Sequence, residues 1–442
     1  MPSKLPADTP PFTYLSCVDP PTLHVVPLDP PIMQGAGVYG GWGQGAIGPH
    51  GRFHFAVGNH LTSPRADAWL ITYDPDIQTL RRAMSSRDTD RWHDRQSLGD
   101  GKLHTGIDIA EDGTTYLLTF YGDYPTKRDW QGSQYPGGRL IRHNVLTGES
   151  ESLGVPFGKD SWPMGRWDPQ REVLVGVGEA GLYLNPELGR DQAPEGWRWS
   201  GPDNEHSYGH VLVYDTRSRQ VLYAGLPEDL QPQASAETPL RVERRSLLLD
   251  PNTGHFFSSG TASPTRLVKI DPAAIRRNPA EGIRRTNLEI DSPVRAGTRR
   301  TTPDGELILI TRHGTLYALH AENLTLRELG PAWVKDSWIT DLSLDPTGRY
   351  VDFVVDCTWA GRDYGVPVVR YELATGRRFV FAFLAPALFA SHGYCVVGAY
   401  TAVTNPTGQR MFIQLNGHFG DDPAVARYEQ PVLIDLPIPT MP

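Results

Sequence analysis

The stretch DLSLDPTGRYVDFVV, residues 341–355, together with YGVPVVRYELATG, residues 364–376, contains the pattern that decides the fold. One strand-like run precedes the turn D-P-T-G and another follows it, and a second turn, L-A-T-G, again links two runs. Proline presets one backbone angle of a tight turn, and glycine accepts the positive φ that other residues avoid. The stretch therefore predicts a unit of four short strands, A to D, with one turn between A and B and another between C and D.

Both turns recur along the whole chain. The first kind occurs at GPHGR (48–52), AEDGT (110–114), WDPQRE (167–172), LDPNTG (249–254), TPDGE (302–306), DPTGR (345–349) and NPTGQ (405–409). The second kind alternates with it at TYDPDIQ (72–78), RHNVLTGE (142–149), VYDTRSRQ (213–220), KIDPAAI (269–275), ALHAENLT (318–325), RYELATGR (370–377) and LIDLP (433–437). Spacings of roughly 40 to 80 residues between units of four antiparallel strands are typical of β-propeller blades. The sequence predicts an all-β fold, a seven-bladed β-propeller with four antiparallel strands per blade.

The alternative is a pair of β-sandwiches, which also use short strands and turns rich in glycine and proline. Sandwiches do not require two turn types that alternate through seven units. No linker divides the sequence, so we expect a single domain over residues 1–442. The last unit ends soon after its second turn, and the N-terminal segment 14–29 is expected to complete that blade.

Composition excludes several classes of protein. The formal net charge of -9 argues against a nucleic-acid partner, because phosphate binding needs a basic face. Three cysteines are too few for a disulfide scaffold. The longest apolar run, at 379–390, contains a proline and is too short for a bilayer, so no membrane partner is expected. No signal peptide is visible, which predicts a cytoplasmic protein, or a secreted or periplasmic one if a signal was removed.

In a propeller, strand A lines the central channel. The loops that enter strand A and the B–C loops share one face, here called the upper face; the A–B and C–D turns form the lower face. The sequence predicts substrate-binding side chains on the upper face at Trp42, Gln44, His60, Arg244, Arg300, Arg312 and Trp359. Arginine binds carboxylate or sulfate, and aromatic faces stack on sugar rings, so the expected partner is an anionic glycan or oligosaccharide. Singly, each arginine could equally be a solvated surface charge.

His104, Tyr121 and Arg166, from the second and third units, are the predicted catalytic residues. Elimination at a uronic acid needs a base for the C5 proton, an acid for the leaving oxygen and a cation for the carboxylate. Histidine, tyrosine and arginine supply these functions. A glycoside hydrolase would instead need a pair of carboxylates, and no obvious pair occurs at the predicted mouth. A non-catalytic glycan- or protein-binding propeller is the third alternative.

A metal site is a further hypothesis. His206 and His210, in NEHSYGHVLVYD, are four residues apart on a loop that enters a strand. Imidazole is a common metal ligand, so His206 and His210 are the predicted ligands of a divalent metal whose identity the spacing does not assign.

Three segments carry a family resemblance: YGGWGQGAIGPHGRFHFAVGNH (39–60), GKLHTGIDIAEDGTTYLLTFYG with YPGGRLIRHNVLTG (101–122 and 135–148), and the sixth-unit stretch quoted first. There the chain resembles the seven-bladed propeller polysaccharide lyases, the group of ulvan lyases and rhamnose–glucuronate lyases, with related rhamnosidases. The resemblance implies a carbon–oxygen lyase in which His104 matches the histidine at the start of the second inner strand. Where some relatives carry a second histidine, this chain has Phe120 and Tyr121, so Tyr121 would have to replace it. Some members bind calcium, zinc or manganese.

Overall fold

The computed structural model describes residues 14–16, 21–28, 40–122, 135–179, 209–230, 239–334, 337–356, 365–420 and 430–439. These residues form seven sheets, and each blade contains four antiparallel strands. The predicted seven-bladed all-β propeller is therefore confirmed.

The strands follow the predicted turns. Those of blades one to three are Ala46–Ile47, Phe53–Gly58, Ala68–Asp74 and Thr79–Ser85; Lys102–Leu103, Thr114–Phe120, Leu140–Asn144 and Ser150–Ser152; Met164–Asp168, Val173–Val177, Val211–Asp215 and Gln220–Gly225. Those of blades four and five are Leu248–Leu249, Phe256–Ser259, Arg266–Ile270 and Ile283–Glu289; Val294–Gly297, Glu306–Thr311, Thr315–His320 and Thr325–Pro331. Those of blades six and seven are Ser343–Leu344, Tyr350–Val354, Pro367–Glu372 and Arg378–Phe383; Tyr394–Thr404, Arg410–Phe419, Val432–Pro437 and His24–Pro27.

The backbone conformation of the A–B turns agrees with the residue types found in them. In the sixth blade, Gly348 adopts φ +72°, a conformation that costs glycine little. The Asp345 carboxylate accepts the backbone N–H groups of Arg349 and Tyr350 at 2.9 and 2.8 Å. Side chain and glycine together hold the reversal that brings strand B back beside strand A.

The hydrophobic core lies between the blades rather than at the centre of the ring. Seven clusters of buried residues each join two adjacent blades, including the pair formed by the seventh and first. In that closing interface, Phe53 stacks on Phe412 with ring centroids 5.4 Å apart. Each blade therefore buries both faces of its sheet.

The N-terminal segment contributes to two blades. His24–Pro27 pairs antiparallel with Val432–Pro437 as the outermost strand of the seventh blade. Tyr14–Ser16 pairs parallel with Arg378–Phe383 and extends the sixth blade instead. Chain ends that share one blade tie the ring together by backbone hydrogen bonds.

Helices are short and peripheral. The longer ones are Ser86–Asp90 and Leu384–His392, while Pro272–Ile275 and Pro279–Gly282 lie between strands C and D of the fourth blade. The apolar run at 379–390 is divided between a strand and the helix Leu384–His392. Within the described ranges, no helix has the length and apolar character needed to cross a bilayer.

Candidate functional site

The centre of the channel is occupied by charged side chains from different blades. Arg166 of the third blade binds Asp108 of the second through Nε and Nη2, at 2.9 and 2.8 Å. Arg299 of the fifth blade reaches the same carboxylate, with Nη1 3.1 Å from Oδ1, and also donates to the carbonyl of Ile107. Burial opposes ionisation of Asp108, but the two guanidinium groups outweigh it and hold its pKa below the usual value. Asp108 is therefore an ionised anchor rather than a proton donor.

Towards the upper face lies a group of rings and cations, here called the upper cluster: Trp42, His60, Lys102, His104, Arg245, Arg295, Trp338 and Tyr400. The Trp42 ring lies 5.6 Å from His60 and 4.8 Å from Tyr400. The ammonium of Lys102 lies 5.7 Å from the centroid of Trp42. Blades that are distant in sequence thus place aromatic faces and positive charges side by side.

His104 is buried within this cluster, with 7% of its surface exposed. Its Nδ1 lies 2.9 Å from the carbonyl oxygen of Pro163. A carbonyl only accepts, so Nδ1 carries the proton and Nε2 keeps its lone pair. Burial, followed by the charges of Arg245, Lys102 and Arg295, lowers the pKa of His104 well below its usual value. The ring is a neutral imidazole with a defined tautomer.

Arg295 is an unusual cation in this cluster. Its guanidinium lies 4.4 Å from the centroid of the Trp338 ring, and none of the described carboxylates forms an ion pair with it. Its Nε has no hydrogen-bond partner in the described part of the chain. Burial, then the charges of Arg245 and Arg312, lowers the pKa of Arg295 to about 10. A buried cation that forms no ion pair with the described carboxylates favours an anionic ligand.

Other upper-face arginines are already paired. Arg244 forms an ion pair with Glu179, whose carboxylate also lies 3.7 Å from Arg245. Arg312 forms an ion pair with Glu243. These carboxylates therefore hold arginines in place and do not form a free acidic pair.

The predicted catalytic residues do not lie together. His104 belongs to the upper cluster. Tyr121 packs in a buried group with Leu98, Phe120 and Tyr135, and its backbone N–H donates to Ser161 Oγ at 2.9 Å. Arg166 is held by Asp108 and lines a cavity at the lower end of the channel, which neither His104 nor Tyr121 lines.

The predicted binding residues are also divided. Trp42 and His60 lie in the upper cluster, while Gln44 is buried and donates across blades to the carbonyl of Thr340 at 2.8 Å. Arg300 was expected on the upper face, but it follows strand A, in the A–B turn, and its Nη2 donates to the carbonyl of Leu344. That placement was wrong because strand A of the fifth blade ends at Gly297, before Arg300. Trp359 lies outside the described residues.

The metal hypothesis gains no geometric support. His210 and Asp160 are both fully buried and form a pair at 2.7 Å, while His206 lies outside the described residues. Within the described ranges, no three histidine, cysteine, aspartate or glutamate side chains form a group able to hold a metal ion. The resemblance to metal-binding lyases therefore finds no matching ligand set there, and no chemical step is assigned to a metal.

The lower cavity has a volume of about 430 Å³ and is lined by residues from all seven blades. Its charged side chains are Asp108, Arg166, Asp168, Arg299, Arg300 and Asp341. Asp341 accepts hydrogen bonds from Thr401 Oγ1 and the N–H of Ala402, at 2.8 and 3.2 Å. Burial, only partly offset by Arg299, raises the pKa of Asp341 to about 6.

Sequence reasoning missed two of these residues. Tyr400 lies in the middle of a long inner strand, and Asp341 lies two residues before one. Counting polar residues on every strand A and on the two residues before it would have found both. A count of polar residues does not predict which end of the channel each residue faces.

Comparisons with known proteins define the class of the chain. No protein-family model matches the sequence, and no curated protein matches it. Among solved structures, the chain is similar to one titled "Crystal Structure of Mitotic Checkpoint Complex", with a TM-score of 0.51 and 9% identity over 96% of each chain. At that identity the similarity concerns the fold alone: the chain is a seven-bladed β-propeller.

Proposed function

We propose that this propeller is a carbohydrate-active lyase that cleaves a uronate-containing glycan by β-elimination at the upper cluster. The observation that carries the proposal is the state of His104. Its Nδ1–H is held by the Pro163 carbonyl, so a neutral Nε2 is available as a base beside Arg245 and Arg295. A base next to guanidinium groups suits a substrate whose acidic proton lies beside a carboxylate.

The proposed step uses three groups. Arg295, with Arg245, neutralises the uronate carboxylate and stabilises the negative charge that develops when the C5 proton is removed. His104 Nε2 takes that proton, the C4–O bond breaks, and the electron pair of the C5–H bond becomes the new double bond. The leaving oxygen receives a proton from a tyrosine, and we assign this role to Tyr400, which contacts Trp42 at 4.8 Å.

This assignment changes two of the sequence-based roles. Arg166 is replaced by Arg295, because the Arg166 guanidinium is bound through two nitrogens to Asp108. Tyr121 is replaced by Tyr400, because Tyr121 packs between Phe120 and Tyr135, with ring centroids 4.5 and 6.2 Å away. His104 keeps the role that the sequence predicted for it.

The hydrolase alternative receives less support. Hydrolysis of a glycoside by the common route needs one protonated and one ionised carboxyl group facing the sugar. At the upper face, Glu179 and Glu243 are held in ion pairs with arginines. The two carboxyls with divergent pKa values, Asp108 and Asp341, lie at the lower cavity instead.

The test is a panel of uronate-containing glycans. Elimination creates an unsaturated uronate that absorbs in the ultraviolet, whereas hydrolysis releases reducing sugar without that absorbance. We expect ultraviolet absorbance to rise with at least one glycan of the panel. Reducing sugar alone would favour the hydrolase, and saturable binding without any product would favour a non-catalytic glycan-binding propeller.

A further inference from the structure

The lower cavity is separate from the upper cluster, since His104, Arg245 and Arg295 are not among the residues that line it. We propose that it is a second ligand site, which binds a small organic carboxylate with an apolar body. This inference does not rest on the proposed lyase activity.

The charges of the cavity are unbalanced in favour of cations. Three guanidinium groups line it, from Arg166, Arg299 and Arg300, against the carboxyl groups of Asp108 and Asp341. Asp168, a further lining carboxylate, is paired with Arg171 at 2.9 Å. Arg166 and Arg299 balance Asp108 and Asp341 when both of these carboxyls are ionised, and the exposed Arg300 adds a further positive charge that a ligand carrying one negative charge would balance.

Arg299 is the proposed anchor. Its Nη1 is engaged by Asp108 and by the carbonyl of Ile107, but its Nη2 is buried and has no hydrogen-bond partner among the described residues. Burial and the neighbouring charge of Arg166 lower the pKa of Arg299, while Asp108 and Asp341 only partly restore it. Arg299 lines the cavity, and the proposal places a ligand oxygen within hydrogen-bonding reach of Nη2. The new hydrogen bond would remove the cost of an unsatisfied buried donor.

Part of the cavity wall is apolar. Ile107, Ile109, Leu249, Leu344 and Val403 line it. Its volume of about 430 Å³ lies within the range of roughly 300–1,000 Å³ found for small-molecule sites. Cations beside hydrocarbon side chains match a carboxylate whose remaining atoms are apolar.

The experiment measures binding of hexanoate to the full chain by isothermal titration calorimetry, with hexan-1-ol as a neutral analogue of the same length. We expect saturable binding of hexanoate and binding of the alcohol at least about tenfold weaker. Arg299→Met should weaken hexanoate binding at least about tenfold. Arg284→Met, an exposed arginine on the outermost strand of the fourth blade, is the matched control and should leave the affinity unchanged.

A second variant covers the case in which Arg299→Met does not fold. Gln170 is exposed and lines the cavity in the A–B turn of the third blade, so Gln170→Trp fills the cavity without removing a charge. It should abolish hexanoate binding while the folded structure is retained by circular dichroism. The proposal is overturned if wild-type protein shows no saturable binding, if Gln170→Trp binds as wild type, or if hexan-1-ol binds equally well. Tighter, Arg299-dependent binding of glucuronate than of hexanoate would overturn the apolar character of the ligand.

Discussion

Arg299 and Asp108 belong to non-adjacent blades, yet Arg299 Nη1 lies 3.1 Å from the Asp108 carboxylate. The fifth and second blades face each other through the ring, so this contact spans the channel. Asp108 also binds Arg166 through two nitrogens. One carboxylate therefore holds two cations at the centre of the propeller.

The first prediction concerns that carboxylate. Asp108→Ala leaves Arg166 and Arg299 buried without their shared partner, and breaking a buried charge pair costs about 3–5 kcal/mol. Asp304→Ala, at an exposed carboxylate in an A–B turn, should change the free energy of unfolding by less than about 0.5 kcal/mol. Urea denaturation measures both. Equal midpoints for the two variants would mean that Asp108 is dispensable to the fold.

The second prediction concerns catalysis. His104→Ala should lower the rate of uronate elimination by roughly a hundredfold or more, because the neutral Nε2 base is lost. His392→Ala, at an exposed histidine at the end of the helix Leu384–His392, should keep the wild-type rate. Ultraviolet absorbance of the unsaturated product is the measurement. A well-folded His104→Ala protein with full activity removes His104 from the mechanism.

The third prediction separates binding from stability at Arg295. This buried cation has no carboxylate partner in the described structure, so Arg295→Met removes a desolvated charge and should stabilise the protein by about 0.5–2 kcal/mol. The same change should raise KM for a uronate substrate at least about tenfold, because the carboxylate loses its cation. Thermal denaturation and steady-state kinetics test the two effects. A destabilised variant with unchanged KM would show that Arg295 has a purely structural role.

The fourth prediction is a pH dependence of stability at His54. Burial, with smaller effects of Arg81, His143 and Arg52, lowers the pKa of His54 to about 3. The folded state therefore resists protonation that the unfolded chain accepts near pH 6.5, and the stability due to His54 is lost as pH falls from about 6.5 towards 3.

His54→Gln isolates this effect, because other titrating groups are common to both proteins. Wild type should lose stability relative to the variant by up to about 1.4 kcal/mol per pH unit below pH 6.5. Above that pH the difference between the two should be constant. Urea denaturation across the pH range measures it, and parallel curves below pH 6 would refute the buried neutral state of His54.

The fifth prediction tests closure of the ring. Phe412 is fully buried between the seventh and first blades, whereas Phe419, in the same strand, is 39% exposed. Phe412→Ala should cost about 3–5 kcal/mol through lost burial and the cavity left behind. Phe419→Ala should cost less than about 1 kcal/mol, since much of its ring already contacts water. Similar losses would mean that this interface does not limit stability.

Local chemistry explains why so much of the fold was predictable. Turn residues such as Gly348 and Asp345 act within a few residues of themselves, so their pattern revealed strand order and blade number directly. His104 follows the two-residue inner strand Lys102–Leu103 of the second blade and lies in the upper cluster.

The sequence alone determined the order of strands and turns, because each turn is specified by its own proline, glycine and aspartate residues. Only the tertiary structure decided which side chains share an end of the channel. Arg166 and Arg300 went to the lower cavity and Arg295 to the upper cluster, since the end that a channel residue faces depends on where its strand A begins and ends. The bond between Arg299 and Asp108 needed closure of the whole ring, because residues so distant in sequence meet only when all seven blades are in place.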